Sequence, residues 1–306
     1  MKQIRKIVVT GGKGFIGSSI VSYLVDKGHY VTSIDINCGE NVILCDVSDE
    51  HALAKLLINE KPEIIIHCAA IKNLPVCEKD RAKSLLTNVL STEVIASYAA
   101  SHNAKIVYLS SDVVFNGEKG NYTPSEDTNP INWYGNTKVF SEHIVRDVPR
   151  SAICRTALVI GALNETYKIE LAKELKMDLL VNQTLLPQYI YHRLKNNMAL
   201  RMPTGIISNP TPIELLCDMV GRIIDKDARG IFHTTGPDAI SRYETADLIA
   251  RLFDLDKRLI VKDDENISPL RPKNVSMDSR ATFEKLDIDT EDWRLAKYLV
   301  KVDLYA

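Results

Sequence analysis

Eight residues near the start of the chain, Thr10-Gly11-Gly12-Lys13-Gly14-Phe15-Ile16-Gly17, lie between a short β-branched run and a run with apolar residues at helical spacing. The first run is Lys6–Thr10 (KIVVT); the second carries Ile16, Ile20 and Leu24. A chain that passes from strand to helix over so few residues needs a turn without side chains, and glycines at 11, 14 and 17 supply it. The opening of that helix offers oriented N–H groups and a partial positive charge, which suits a pyrophosphate. Alternation then continues. Tyr30–Asp35 and Val42–Cys45 read as strands, Ser48–Asn59 as a helix with Ser48 as its cap, and Ile64–Cys68 as a strand buried on both faces. Leu85–Ser101 reads as helix, Lys105–Ser110 as strand, Tyr134–Arg146 as helix and Ala152–Thr156 as strand. This cadence implies right-handed crossovers and a parallel, doubly wound α/β sheet.

A glycine loop between the first strand and helix of such a sheet predicts a dinucleotide-binding Rossmann domain over residues 1–160. Beyond Gly161 the order weakens. Residues 161–205 and 236–306 are assigned to a smaller C-terminal substrate-binding lobe, with the chain returning to the sheet around 206–235. Within that half, Glu165–Gln183 reads as a helix-prone insertion, Leu185–Met198 and Arg242–Phe253 as helices, Ile231–Thr235 as a strand returning to the sheet, and Asp263–Pro272 as a loop. The chain has 38 basic and 40 acidic residues and a net charge of −2, without the clustered basic excess that a nucleic acid requires. No apolar run approaches a membrane span, and the apolar start is too short for a signal peptide. Six scattered cysteines without a C-x-x-C pair predict reduced thiols, no metal site and a cytoplasmic setting.

Asp35 ends the second strand, where a carboxylate can accept two hydrogen bonds from an adenosine ribose and repel a 2′-phosphate. Lys13 argues the other way, since it can reach that phosphate. NAD is therefore the expected cofactor, with NADP the alternative. Tyr134 and Lys138 (Tyr-Gly-Asn-Thr-Lys) share one face of a helix, a turn apart. A tyrosine is a poor acid–base group at its ordinary pKa, and a neighbouring ammonium is expected to lower it. Leu109-Ser110-Ser111-Asp112 closes the fifth strand, where active-site groups gather in a doubly wound sheet. Arg155 and Arg271 are diphosphate candidates, because a guanidinium binds phosphate oxygens bidentately. Trp133, Tyr189 and Tyr191 are expected in packing roles rather than stacked on a base.

TGGKGFIG, Asp35, Asp46-Val47, His67-Cys68-Ala69-Ala70, Thr87-Asn88, LSSD and YGNTK together resemble the extended short-chain dehydrogenase/reductase superfamily of nucleotide-sugar enzymes. The resemblance implies that Ser111, Tyr134 and Lys138 are catalytic. It implies that Gly11, Lys13, Gly14, Phe15, Ile16, Gly17, Asp35, Asp46, Val47, Ala69, Ala70, Asn88 and Ser110, with Tyr134 and Lys138, bind the dinucleotide. Asp112, Arg155 and Arg271 would meet the substrate. Residues 110–138 and the segment Arg271-Pro272-Lys273-Asn274 resemble the dTDP-4-dehydrorhamnose reductases, although Val113 departs at an aromatic position. A 4,6-dehydratase needs a further acid and base after the strand-ending serines, and Val113 cannot transfer a proton. Reductase is the expected activity. A 4-epimerase or dehydratase, and a regulatory subunit like the β subunit of methionine adenosyltransferase, remain the alternatives. The expected partners are a nucleotide-sugar substrate and a second copy of the chain in a homodimer, with no nucleic acid and no membrane.

Overall fold

The computed structural model describes residues 3–39, 41–161, 185–302 and 304. The chain divides into two compact units. The first comprises Met1–Val114, Thr128–Arg155 and Cys217–Phe232; the second comprises Phe115–Asp127, Thr156–Leu216 and His233–Ala306. The return to the first unit is thus narrower than the sequence pattern implies, and residues 115–127 group with the second.

In the first unit β1 (Lys6–Thr10), α1 (Phe15–Asp26), β2 (Tyr30–Asp35), β3 (Val42–Leu44), α2 (Glu50–Glu60) and β4 (Ile64–His67) follow one another as the alternation predicts. A helix, Ser91–His102, then leads to β5 (Lys105–Ser111), and the helix Trp133–Arg146 leads to β6 (Ser151–Thr156). A seventh strand, Gly230–His233, joins the edge beyond β6, giving the order seventh-β6-β5-β4-β1-β2-β3. β1 pairs in parallel with β2 and with β4, and β4 with β5. Thr10 stands opposite both Ile34 and His67, so the carboxyl ends of these strands finish side by side. A sheet of this order places its ligand crevice at those ends.

The sheet is held by what its faces bury. Val8, Ile34, Ile65 and Ile106 pack with Leu53 and Leu57 of α2 and with Ile95 and Ala99 of the helix Ser91–His102. All of these side chains are buried, so residues such as Ile65 and Ile106 leave water entirely, which is worth roughly 1.5–3 kcal/mol each. Two local expectations fail. Asp49, not Ser48, caps α2, accepting from the Ala52 amide at 3.0 Å. Ser48 is already engaged, its hydroxyl donating to Asp46 Oδ1 at 2.7 Å. The span 85–101 is not one regular helix either: Leu86–Leu90 forms a π-helical turn before the α-helix begins at Ser91.

The second unit has its own core, in which Ile190, Tyr191 and Leu194 meet Ile249, Ala250, Tyr298 and Leu299. The helix expected over 185–198 stops at Lys195. Asn197 takes a left-handed φ of 55°, and the chain enters the strand Leu200–Met202, which pairs in parallel with Ile260–Lys262. The segment Glu165–Gln183 lies outside the described residues. Among the described residues no helix is long and apolar enough to cross a membrane, and no group of three metal-ligating side chains comes together. All six cysteines are free thiols.

Candidate active site

The glycine loop forms where β1 ends. Gly11 adopts φ +67°, and a side chain there would come within 2.9 Å of the Ala69 backbone at the end of β4. At Gly17 a Cβ would overlap the Gly11 carbonyl, so the loop closes on α1 only because both positions are bare. No side chain caps the start of α1, and no acidic residue sits in its first turn. Asp35 pins the loop from the side: its Oδ2 accepts from the Lys13 amide and its Oδ1 from the Asn37 amide, both at 3.0 Å. The Lys13 ammonium donates to the Cys38 carbonyl at 2.9 Å. The cradle is narrow, uncapped and edged by a carboxylate, which fits a dinucleotide pyrophosphate and its ribose.

Further along the same strand ends, Lys138 is buried, its Nζ donating to the Leu109 carbonyl at 2.7 Å. The ammonium lies 4.6 Å from the centre of the Tyr108 ring and 5.8 Å from that of Tyr134. Burial pulls its pKa down to about 8. Tyr134 stands a turn earlier on the same helix, whose start is capped by Asn132 Oδ1 accepting from the Gly135 amide at 2.7 Å. Ser111 donates to Asp112 Oδ1 at 2.9 Å. The expected lowering counts on a nicotinamide cation as well as the ammonium; the chain's own groups act in the opposite direction. Burial first, then the Asp112 carboxylate and Cys77, raise the Tyr134 phenol above its ordinary value, while the Ser111 hydroxyl works against them. Desolvation disfavours the phenolate more than nearby donors favour it.

One sequence assignment needs correction. Arg155 is wholly buried and paired with Glu142: Nε donates to Oε1 at 3.0 Å and a terminal nitrogen to Oε2 at 2.7 Å. A guanidinium held in that fork is closed to a diphosphate. The Ser110 hydroxyl donates to the same Glu142 Oε1 at 2.6 Å and braces β5. Asn88 is also buried and engaged. Its Oδ1 accepts from the Ile71 amide at 2.8 Å and its Nδ2 donates to the Ile71 carbonyl and to Thr137 Oγ1, each at 3.0 Å. It ties the loop after β4 to the Tyr134 helix.

The other predicted positions are found as follows. Phe15 is buried and Ile16 half-buried on α1; Ala69 and Ala70 are half-buried in the loop after β4. Asp46 is exposed, and Val47 packs into the core beside it. Trp133 is structural, its indole N–H donating to Ser84 Oγ at 2.9 Å and the Arg81 guanidinium lying 5.0 Å from its ring. Arg271 belongs to the second unit, where its amide donates to the Ser268 carbonyl at 3.0 Å and the next residues pack on Gly117. Sequence reasoning missed Glu142, although 134, 138 and 142 fall at four-residue steps on one helix face, a signal that was available.

Comparison with known proteins settles the family. The RmlD substrate binding domain matches residues 5–302. The chain belongs to the RmlD substrate-binding domain family. Methionine adenosyltransferase 2 subunit beta of Xenopus laevis is 26% identical over 289 residues, covering 93% of this chain and 83% of that protein. A crystal structure of a hypothetical dTDP-4-dehydrorhamnose reductase from Sulfolobus tokodaii is similar at TM-score 0.78 and 26% identity, over 93% of this chain and 96% of that one. The fold is also shared, at TM-score 0.80 and 20% identity over 98% and 99% of the two chains, with a dTDP-4-dehydrorhamnose reductase from Bacillus anthracis solved with NADP. This RmlD-family chain is therefore an α/β protein built as the oxidoreductases of that fold are.

Proposed function

We propose that the chain is an NAD(P)H-dependent reductase acting on the C4 ketone of a nucleotide-linked 4-keto-6-deoxy sugar. The observation that carries this reading is the gathering of Ser111, Tyr134 and Lys138 at the end of β5, in the same unit as the glycine cradle. Beyond Asp112, which alone cannot serve as both acid and base, Val113 offers no proton-transferring group. A bound reduced dinucleotide supplies the hydride. The chain supplies the proton: Tyr134 Oη delivers it to the carbonyl oxygen as that oxygen gains charge, and the phenolate recovers a proton from water. Lys138, an ammonium below about pH 8, would hold the nicotinamide ribose. Asp35 favours NADH over NADPH, because a 2′-phosphate would face an uncompensated carboxylate.

The test is to incubate the protein with NADH and a panel of nucleotide 4-keto-6-deoxy sugars. NADH should be oxidised one for one with sugar, and Tyr134→Phe should lower kcat by ~10²–10⁴-fold while leaving NADH affinity within a few-fold. Conversion of a nucleotide hexose without net change in NADH would instead indicate an epimerase or dehydratase. The relatedness to methionine adenosyltransferase subunits gives the second reading. Failure to bind any sugar nucleotide, together with a stable complex with a methionine adenosyltransferase catalytic subunit, would favour it. Calorimetry with NADH and NADPH checks the cofactor preference.

A further inference from the structure

Trp133 stands immediately before Tyr134, and three side chains from one other segment hold it. The helix Trp133–Arg146 has no acidic residue in its own first turn, where amides without helical acceptors favour a negative charge. Glu78 supplies that charge from the short helix Leu74–Lys79: its Oε1 accepts from the Trp133 amide at 2.7 Å. The Arg81 guanidinium donates to the other Glu78 oxygen at 2.8 Å and lies 5.0 Å from the centre of a Trp133 ring. Arg81 first, then the Trp133 amide, hold the Glu78 carboxyl below its ordinary pKa, so it is a carboxylate. Ser84 takes the far end of the side chain, its Oγ accepting from the indole N–H at 2.9 Å. The Ser84 proton is directed at the Asp80 and Arg81 carbonyls, at 3.1 and 3.0 Å, which leaves its lone pairs for the indole.

The residue after Tyr134 is constrained from another side. A Cβ on Gly135 would overlap the Val113 carbonyl, just past the end of β5. Lys138, a turn further along, is anchored separately through the Leu109 carbonyl at 2.7 Å. Tyr134 thus lies between a held residue and a blocked one, and neither constraint passes through Lys138.

We propose that Glu78 is a positioning residue for Tyr134: with Arg81 and Ser84 it holds Trp133, and through Trp133 the first helical turn, so that the phenol keeps its place. The consequence for catalysis rests on the reductase reading, in which Tyr134 gives its proton to the substrate carbonyl. That transfer needs the phenol within hydrogen-bond reach of the oxygen, and small displacements are costly. Releasing Trp133 should therefore slow the chemical step while leaving the Lys138 end of the helix, and the dinucleotide it would hold, in place.

The test uses the full chain with NADH and the nucleotide 4-keto-6-deoxy sugars. Glu78→Ala should lower kcat roughly 10- to 100-fold, with NADH affinity within about twofold of the parent. Glu78→Gln keeps an oxygen that can accept from the Trp133 amide, and should hold kcat within about threefold. An unchanged kcat in Glu78→Ala overturns the proposal. So does a matching loss of kcat and NADH affinity, which marks general damage, or a loss in Glu78→Gln as large as in Glu78→Ala. A second measurement needs no substrate. The chain is labelled with fluorotyrosine, and the Tyr134 resonance is assigned by its loss in Tyr134→Phe. That resonance should shift or broaden in Glu78→Ala and return to the parent position in Glu78→Gln; an unmoved resonance in Glu78→Ala overturns the proposal. A parent that reduces none of the sugars yet shows these fluorine changes loses the reductase reading and keeps the hold of Glu78 on Tyr134.

Discussion

Lys138 shows what a single buried charge does to this protein. Its ammonium donates to the Leu109 carbonyl and lies over the Tyr108 ring in place of bulk water. A lysine whose folded pKa is about 8 binds fewer protons when folded than when unfolded between there and its ordinary value near 10.5. Stability therefore rises with pH across that window, and below it the buried ammonium costs about 3 kcal/mol. Lys138→Met should abolish activity yet gain in melting temperature relative to the parent at pH 7, with the gain shrinking as pH is raised toward 10. A melting difference between the two proteins that does not change with pH would show that the lysine is not held in this low-dielectric site. The residue types of the site were legible because Tyr134, Lys138 and Ser111 declare themselves by spacing and strand position. Arg155 was misjudged, and the hydrogen bonds of Ser110 and Asn88 went unforeseen, for one shared reason. A side chain's chemistry says what it can bind, and only the fold says that Glu142 or Ile71 already faces it.

At the scale of elements, the Tyr134 helix is fixed to the sheet by charge as well as by apolar packing. Glu142 takes two donors from Arg155 on β6 and one from Ser110 on β5, with all three side chains nearly or wholly buried. Removing one partner of such a pair leaves an uncompensated buried charge, and the expected cost of Glu142→Gln is about 3–5 kcal/mol. Replacing both, as Glu142→Gln with Arg155→Met, should restore most of that stability, because neither charge then remains to be desolvated. Denaturant unfolding of the single and double variants checks this; equal destabilisation in both would mean the ion pair itself supplies net stability. Elements were readable where apolar period decided them, as in β1, β4 and α1. Boundaries escaped where a polar side chain chose between neighbours. Ser48 turned back to Asp46 and left Asp49 to cap α2, and the engaged Asn88 lies within the π turn that the apolar period did not reveal.

At the scale of the whole molecule, the doubly wound parallel sheet and a strand returning to it near 231–235 followed from the sequence, but what holds that strand at the edge beyond β6 did not. What brings Cys217–Phe232 into the first unit is in part electrostatic. Lys105, wholly buried at the start of β5, donates to the Ala228 carbonyl at 2.7 Å and to Asp227 at 3.2 Å. Arg150 reaches the same Asp227 oxygen at 3.0 Å, and Arg229 the other at 2.9 Å. No periodicity announces that contact, since its partners lie 122 and 77 residues apart. The three cations hold the Asp227 carboxyl far below its ordinary value despite the opposing effect of burial. A carboxylate depressed in the folded state contributes stability above its unfolded pKa, near 4, and loses it as pH falls through the folded value. Asp227→Asn should therefore lower the melting temperature at pH 7, because it leaves Lys105 buried beside two guanidinium groups without an anion. The gap to the parent should narrow as pH drops below 4, where the carboxylate of the unfolded parent takes up a proton while the folded one stays ionised. A gap of constant size from pH 7 to pH 3 would mean that packing of the returning strand, and not this charge cluster, decides whether it stays on the sheet.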